Sequence, residues 1–115
     1  MLAEAEKLIE NMEKGGMEPD SYSYNQLLKG LCKANRVDKA YKLMLNKMEA
    51  RGMVDVVTFN TIISSLCKVG RSRRAYALLD EMGQKGVIPD VITFTILIEA
   101  SLREGNSSIA KKLLD

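Results

Sequence analysis

The chain contains no histidine and only two cysteines among its 115 residues. Histidine is the commonest general base and a common transition-metal ligand, so its absence argues against most acid–base and metal-dependent catalysis. The two cysteines, Cys32 and Cys67, supply too few soft ligands for a metal site. The sequence also lacks a glycine-rich phosphate-binding loop. We therefore expect no enzyme, no cofactor and no metal.

Long apolar runs and a strong net charge are also missing. The longest apolar stretch, residues 92–98, is too short to span a bilayer, so we expect no membrane association. The 17 basic and 15 acidic residues leave a net charge of only +2. The overall charge thus gives no reason to expect nucleic acid, and any such partner would need a local cluster of cations.

The sequence does contain a repeat with a period of 35 residues. Asp20, Asp55 and Asp90 lie one period apart, and an aromatic residue follows each of them four positions later. A period of this length is typical of a solenoid, in which each unit buries its apolar face by stacking on its neighbours. We predict an all-α fold, an α-solenoid of stacked antiparallel helix-turn-helix repeats forming part of a right-handed superhelix. Function is then expected along a surface, without a small-molecule substrate.

The predicted unit boundaries follow from the repeated aspartates. Residues 21–55 and 56–90 form complete repeats, residues 1–20 a partial repeat with its second helix only, and residues 91–115 a partial repeat at the other end. All belong to one continuous solenoid.

The first helix of each repeat, helix A, is predicted from apolar residues spaced i, i+3, i+4, i+7, i+8. Asn35, Gly70 and Gly105 are expected to end it, because Asn and Gly accept the left-handed conformation after a helix. Ser101 interrupts the third apolar set. The three sets are Tyr24, Leu27, Leu28, Leu31, Cys32; Phe59, Ile62, Ile63, Leu66, Cys67; and Phe94, Leu97, Ile98, Leu102.

Helix B follows with a second apolar stripe. It is expected to end at Gly16, Gly52 and Gly86, after which an aspartate caps the next helix A. Alanine recurs in one phase, as expected where helices cross closely. The alanines are Ala5, Ala40, Ala75 and Ala110.

The middle helix B departs from the period. Met48 and Gly52 stand 36 residues after Met12 and Gly16, whereas Asp55 is back in register. We predict a longer or bulged helix between Leu43 and Met48, with no effect on the next helix A. Cys32 and Cys67 would lie about 10 Å apart on stacked units, beyond the roughly 7 Å limit for a disulfide, so both are expected to be free thiols.

A second, polar stripe runs along helix A, and we call it the polar edge. Its members are spaced i, i+4, i+8, so they line one side of each helix. Side by side, such helices would present cations spaced to follow phosphates and amides spaced to face bases. A solvated helix edge is the alternative interpretation, which repetition makes weaker. The polar edge comprises Asn25, Lys29, Lys33; Asn60, Ser64, Lys68; and Thr95, Glu99, Arg103.

These features resemble the pentatricopeptide repeat family, in its pure 35-residue class. The resemblance is carried by residues 56–63, by Leu66-Cys67-Lys68 followed by Gly70, and by the segment from Gly86 to Asp90. It covers essentially the whole chain. It implies sequence-specific binding of single-stranded RNA in mitochondria or plastids, with one repeat for each nucleotide.

The resemblance also implies roles for individual residues. The base would be read by the polar residue after the aromatic one and by the closing aspartate, which gives the pairs Asn25 with Asp55 and Asn60 with Asp90. In the family this pair favours uracil, then cytosine. Thr95, expected to favour a purine, has its closing partner beyond residue 115, and the partner of Asp20 would precede residue 1.

By the same resemblance, Tyr22, Val57 and Ile92 would clamp bases by apolar contact. Tyr22 departs from the usual aliphatic residue at this position. The phosphate-contacting residues would be Lys33, Lys68 and Arg103. The implied biological role is RNA processing, stability, editing or translation. Localisation would be mitochondrial, or alternatively in the plastid, directed by a transit peptide elsewhere in the parent protein.

The alternative function is a tetratricopeptide-like scaffold for protein partners, which also stacks helix pairs. The 35-residue period, the absence of tryptophan and the basic, amide-rich polar edge favour RNA. Two complete repeats should bind RNA only weakly. Apolar residues near the two ends are expected to lack a neighbouring layer, so we hypothesise self-association of this fragment through them. They are Leu2, Ile9, Met12, Leu113 and Leu114.

Overall fold

The computed structural model describes residues 2–104, and their side chains from residue 6 onward. This part of the chain consists of helices and connecting turns, with no strand. The α-helices that begin at residues 21, 56 and 91 correspond to the three predicted A helices and are spaced by 35 residues. In chain order, the α-helices are α1 (Leu2–Lys14), α2 (Ser21–Lys33), α3 (Val37–Leu43), α4 (Val56–Lys68), α5 (Ser72–Gln84) and α6 (Val91–Arg103).

The chain divides into two compact units, Met1–Val54 and Asp55–Asp115, each with its own core. In the first unit, α2 packs against α1 and α3, and in the second, α4 packs against both α5 and α6. The predicted apolar sets of α2 and α4 are largely buried, because their 3.6-residue spacing places them on one helix face. The largest fully buried side chains are Tyr24, Leu28, Leu31, Met44 and Met48 in the first unit and Phe59, Ile62, Ile63, Leu66, Met82 and Leu97 in the second.

Each A helix begins at its predicted aspartate cap. The Asp20 carboxylate accepts from the backbone N–H of Ser23 at 2.8 Å, and Asp55 and Asp90 do the same for a threonine three residues on. In α4 and α6 the threonine hydroxyl also accepts from the N–H of the aspartate, which completes a reciprocal capping box. These bonds satisfy backbone donors that the first helical turn leaves unpaired.

The predicted helix ends are also confirmed within the described residues. Asn35 has a φ of 60° and Gly70 a φ of 79°, both in the left-handed region. After Asn35, the N–H of Arg36 donates to the Leu31 carbonyl at 2.8 Å, as expected for a Schellman turn. Gly16, Gly52 and Gly86 also have positive φ. Gly105 lies outside the described residues.

The inserted residue in the middle helix B appears as a π-helical turn. After α3 the chain forms a π-helix over Met44–Met48 and a 3-10 turn over Glu49–Arg51. The wider turn holds one extra residue and keeps Met44 and Met48 fully buried, while Leu43 is only half-buried. Because α4 still begins at Val56, the predictions of a bulge and of an unshifted next helix are both confirmed.

One core prediction for α6 is wrong. Leu102 was expected in the apolar set, yet it is 60% exposed, whereas Ser101 is fully buried. The Ser101 hydroxyl donates to the Leu97 carbonyl at 2.8 Å and pairs with the Tyr76 hydroxyl, so its burial leaves no polar atom unsatisfied. Ser101 thus stands where α2 has Leu31 and α4 has Leu66.

Both cysteines are free thiols, as predicted. Cys67 is buried, and burial, followed by the nearby charge of Glu104, raises the pKa of its thiol to about 11. Cys32 is only half-buried.

The two thiols should therefore react at very different rates. We expect iodoacetamide to alkylate Cys32 at least about tenfold faster than Cys67 near neutral pH, because the nucleophile is the thiolate and Cys67 is both protonated and covered. Mass spectrometry of peptides after timed quenching measures both rates. Equal rates in the folded chain would contradict the burial of Cys67.

The apolar residues expected to lack a neighbouring layer are only partly exposed. Ile9 is buried and Met12 half-buried in the first unit, whereas the adjacent Leu8 is exposed. Leu113, Leu114 and Ala110 lie outside the described residues, as do the side chains of Leu2 and Ala5. No helix among residues 2–104 has the length and apolar character needed to cross a bilayer.

Candidate nucleic-acid interface

Asn60 and Asp90, predicted as a reading pair, are in direct contact in the second unit. Asn60 lies in α4 directly after the buried Phe59, and Asp90 caps α6, which packs on α4. The Asn60 amide nitrogen donates to Asp90 Oδ1 at 3.2 Å, and the Thr93 hydroxyl donates to Asn60 Oδ1. Asn60 is 9% exposed and Asp90 half-buried, so the pair lies at the boundary of the core.

The Asp90 carboxylate is held in its charged form by this arrangement. Its Oδ1 accepts from the backbone N–H and the hydroxyl of Thr93, each at 3.0 Å, besides accepting from Asn60. The backbone bond from Thr93 and then the bond from Asn60 hold the pKa of Asp90 below its ordinary value. The carboxylate is therefore an acceptor at neutral pH.

This lowered pKa predicts an acid-dependent loss of stability. A carboxyl group whose pKa is lower in the folded chain than in the unfolded chain stabilises the fold at pH values above its ordinary pKa of 3.8. This stabilisation is lost as the pH falls through the pKa of the folded chain. We expect Asp90→Asn, which keeps a capping side chain, to melt below wild type near pH 7. The difference should shrink in strong acid. Thermal unfolding followed by circular dichroism between neutral pH and strong acid measures the difference in melting temperature. A difference that does not vary with pH would contradict the charge-based explanation.

The other predicted reading residues are placed as follows. Asn25 is half-buried in α2, Asp20 is an exposed cap of the same helix, and both belong to the first unit. Asp55 is an exposed cap of α4 in the second unit, and Thr95 is exposed on α6. Asn60 and Asp90 lie in the same unit and are joined by a direct hydrogen bond.

The predicted clamping residues are exposed. Tyr22, Val57 and Ile92 are the second residues of α2, α4 and α6, and their exposed fractions are 70%, 47% and 60%. Apolar and aromatic surface at helix starts can contact a flat base without rearrangement of the core. In α6 the neighbouring Val91 is also exposed.

The predicted phosphate-contacting residues end their helices. Lys33, Lys68 and Arg103 are the last residues of α2, α4 and α6, and all three are exposed. A cation in the last helical turn also interacts favourably with the helix dipole, so each position has a structural reason for positive charge. Their side chains are accessible to an anionic polymer.

Thr93 is a site residue that the sequence interpretation missed. It is fully buried, and it contacts both members of the Asn60–Asp90 pair. A hydroxyl residue three positions after each capping aspartate was available as a signal, since Ser23, Thr58 and Thr93 lie 35 residues apart. Helix capping is a sufficient explanation for this spacing, so the spacing did not predict the contact between Thr93 and Asn60.

The sequence of the chain matches two models of one protein family. Residues 54–103 match the model described as PPR repeat family, and residues 15–49 match the model described as PPR repeat. The two matches together cover most of the chain. The chain belongs to the pentatricopeptide repeat family.

Individual pentatricopeptide repeat proteins are similar to the chain. A pentatricopeptide repeat-containing protein of Arabidopsis thaliana is 44% identical over 41 residues, which are 36% of this chain and 8% of that protein. The crystal structure of the pentatricopeptide repeat protein PPR10 from maize matches with a TM-score of 0.82 and 29% identity over 98% of this chain. PPR10 in complex with an 18-nt psaJ RNA element gives a TM-score of 0.85 and 28% identity over 96% of the chain.

The likeness to PPR10 confirms the predicted all-α solenoid of helix-turn-helix repeats. The chain spans 16% of the length of PPR10 and 8% of the Arabidopsis relative. Membership of the pentatricopeptide repeat family also favours the interpretation of the chain as an array of 35-residue repeats over its interpretation as a tetratricopeptide-like scaffold.

Proposed function

We propose that the chain binds single-stranded RNA with sequence specificity, one nucleotide to each complete repeat. The proposal depends most on the contact between Asn60 and Asp90. This contact places an amide, which can both donate and accept hydrogen bonds, beside a charged carboxylate at the edge of the core. PPR10, which is similar over nearly the whole chain, has been crystallised with an RNA element. No catalytic role is assigned to the chain.

The proposal that Asn60 reads a base follows from the hydrogen-bonding capacity of its side-chain amide. One N–H and one lone pair remain after its bonds to Asp90 and Thr93, so it can offer a donor and an acceptor to the edge of a pyrimidine. Uracil, then cytosine, is the expected preference. Asn25 with Asp55 would form the second complete pair, whereas Thr95, favouring a purine, and Asp20 would each belong to an incomplete one.

The remaining contacts would be less specific. Tyr22, Val57 and Ile92 would clamp the bases by stacking and apolar contact. Lys33, Lys68 and Arg103 would contact phosphates, so affinity should fall as salt rises. Stacking supplies about 1–3 kcal/mol per base, so two complete repeats barely exceed the cost of association, and the chain alone should bind weakly.

The division into repeats belongs to the same proposal. Residues 21–55 and 56–90 would be the complete repeats, with partial repeats at 1–20 and 91–115. The wider role would be RNA processing, stability, editing or translation in the mitochondrion, or alternatively in the plastid. Self-association through apolar residues near the ends, such as the exposed Leu8, would occur at high concentration, and light scattering at increasing concentration tests it.

The proposal is tested by selection of RNA targets from a random pool. Because one chain binds weakly, the selection uses an array that repeats residues 56–90 in tandem between the chain's own end segments. We expect enrichment of a uracil run whose length follows the number of repeats. Asn60→Thr in one copy should change the preference at one nucleotide.

Gln84→Thr in the same copy is the matched control, because Gln84 is exposed on α5, a helix that contributes no residue to the polar edge. It should leave the selected sequence unchanged. A protein-binding scaffold predicts that no RNA sequence is enriched, and that result would overturn the proposed function.

A further inference from the structure

An asparagine amide can present its oxygen and its nitrogen in either order, because a half-turn about χ2 exchanges them. A base-reading asparagine therefore needs a neighbour that distinguishes the two orientations. Asn60 has two such neighbours, the Asp90 carboxylate on its nitrogen side and the Thr93 hydroxyl on its oxygen side.

We propose that Thr93 is a positioning residue that fixes the orientation of the Asn60 amide and thereby sets the choice between uracil and cytosine. This inference rests on the proposed function. Thr93 is fully buried beneath the Asn60–Asp90 pair, so it acts on a base only through Asn60.

The hydroxyl of Thr93 is itself held in place by the helix cap. Its oxygen accepts from the Asp90 backbone N–H at 3.2 Å, and the Thr93 backbone N–H donates to Asp90 Oδ1 at 3.0 Å. A β-branched side chain has few rotamers in a helix, and these bonds select one of them. The single hydroxyl proton lies within reach of two acceptors, Asp90 Oδ1 and Asn60 Oδ1, and the contact with Asn60 is the shorter.

The opposite orientation of the amide is disfavoured by charge. If the amide turned, its oxygen would face Asp90 Oδ1, and two acceptors would oppose each other where an N–H now donates at 3.2 Å. Asp90 therefore repels the turned amide and Thr93 supports the observed one. Burial strengthens both effects, because Asn60 is 9% exposed and water cannot readily replace either partner.

A fixed amide presents its free donor and acceptor in a fixed order. Uracil has an N3–H donor between two carbonyl acceptors, whereas cytosine has an acceptor at N3 beside an amino donor. With the base held in one place by the clamping residues, exchange of the amide atoms would exchange the pyrimidine that fits. Loss of the Thr93 hydroxyl is therefore expected to blur the choice between the two pyrimidines.

The test uses the 115-residue chain, with asparagine labelled by ¹⁵N, titrated by NMR with pentauridine and with pentacytidine. We expect wild type to favour pentauridine by about two- to tenfold, the equivalent of one hydrogen bond. Thr93→Val should lower this ratio to the preference contributed by the Asn25–Asp55 pair, and it should shift the Asn60 side-chain amide resonances in the RNA-free protein. Thr93→Ser, which keeps the hydroxyl, should restore both.

Ser23→Ala is the matched control, since Ser23 occupies the same place in α2, where the chain supplies no complete reading pair for Asp20. It should leave the pyrimidine ratio unchanged. If Thr93→Val does not fold, Thr93→Ala removes the hydroxyl without adding a buried methyl group in its place.

Three results would be decisive. A folded Thr93→Val or Thr93→Ala variant with the wild-type ratio and wild-type Asn60 resonances would overturn the inference and leave the proposed function intact. A wild-type chain that binds both RNAs equally would overturn the pyrimidine choice assigned to Asn60, and the inference with it. The expected loss and its recovery in Thr93→Ser would support both.

Discussion

Phe59→Ala is expected to lower the free energy of unfolding by about 3–5 kcal/mol, the largest loss we predict for any single substitution in this chain. Phe59 is fully buried in α4, which packs against both α5 and α6. Removing its ring takes away buried apolar contacts and leaves a cavity that the helices cannot close without shifting. Urea unfolding followed by circular dichroism gives the difference directly.

Phe94→Ala is the matched control for this substitution. Phe94 occupies the same helical position in α6, 35 residues later, but it is only half-buried. We expect a clearly smaller loss for Phe94→Ala. Equal losses for the two variants would show that the core is not centred on α4 as the structure has it.

The second large effect is expected from enlarging a buried alanine. Ala75 is fully buried in α5, one period after the fully buried Ala40 of α3. Its small side chain permits α5 to approach α4, so Ala75→Leu should force the helices apart or place leucine in a poor rotamer. We expect a loss of about 1–3 kcal/mol in the free energy of unfolding.

Ala77→Leu provides the comparison, because Ala77 lies in the same helix and is exposed. Leucine and alanine are both strong helix formers, so this variant should unfold within about 0.5 kcal/mol of wild type. Urea unfolding of the two purified variants and of wild type gives the free energies of unfolding to be compared. A stable Ala75→Leu variant would mean that close approach of the helices does not depend on this alanine.

Much of the fold could be predicted because its signals are local. The caps at Asp20, Asp55 and Asp90 and the left-handed residues Asn35 and Gly70 fix where helices begin and end. The repeat added a further constraint, since each element had to occur again 35 residues later. The bulge in the middle helix B could also be predicted, because Gly52 stands 36 residues after Gly16 whereas Asp55 stands 35 residues after Asp20, so the helix had to hold one extra residue.

The exceptions are contacts between helices. Ser101 interrupts an apolar pattern, and its burial depends on Tyr76, a residue in another helix whose hydroxyl no local pattern connects to it. The bond from Asn60 to Asp90 joins residues 30 positions apart, and the family resemblance paired them as readers without indicating that they touch. A single sequence shows which residues recur, whereas packing decides which of them meet.

The bond between Asn60 and Asp90 serves the structure and is also compatible with recognition. It ties α4 to α6 and satisfies a nearly buried amide, which is a sufficient structural reason for it. It leaves Asp90 Oδ2 without a hydrogen bond from the described residues, and it leaves part of the amide capacity unused. These free groups are what a base would have to contact.

The most direct test is therefore an NMR measurement of intermolecular nuclear Overhauser effects between the Asn60 side-chain amide protons and bound oligouridine. Our account predicts contacts from these protons to the uracil base, together with a shift of the amide resonances that saturates with RNA. Saturation that leaves the Asn60 amide unshifted, with changes confined to the exposed face of α5, would contradict it.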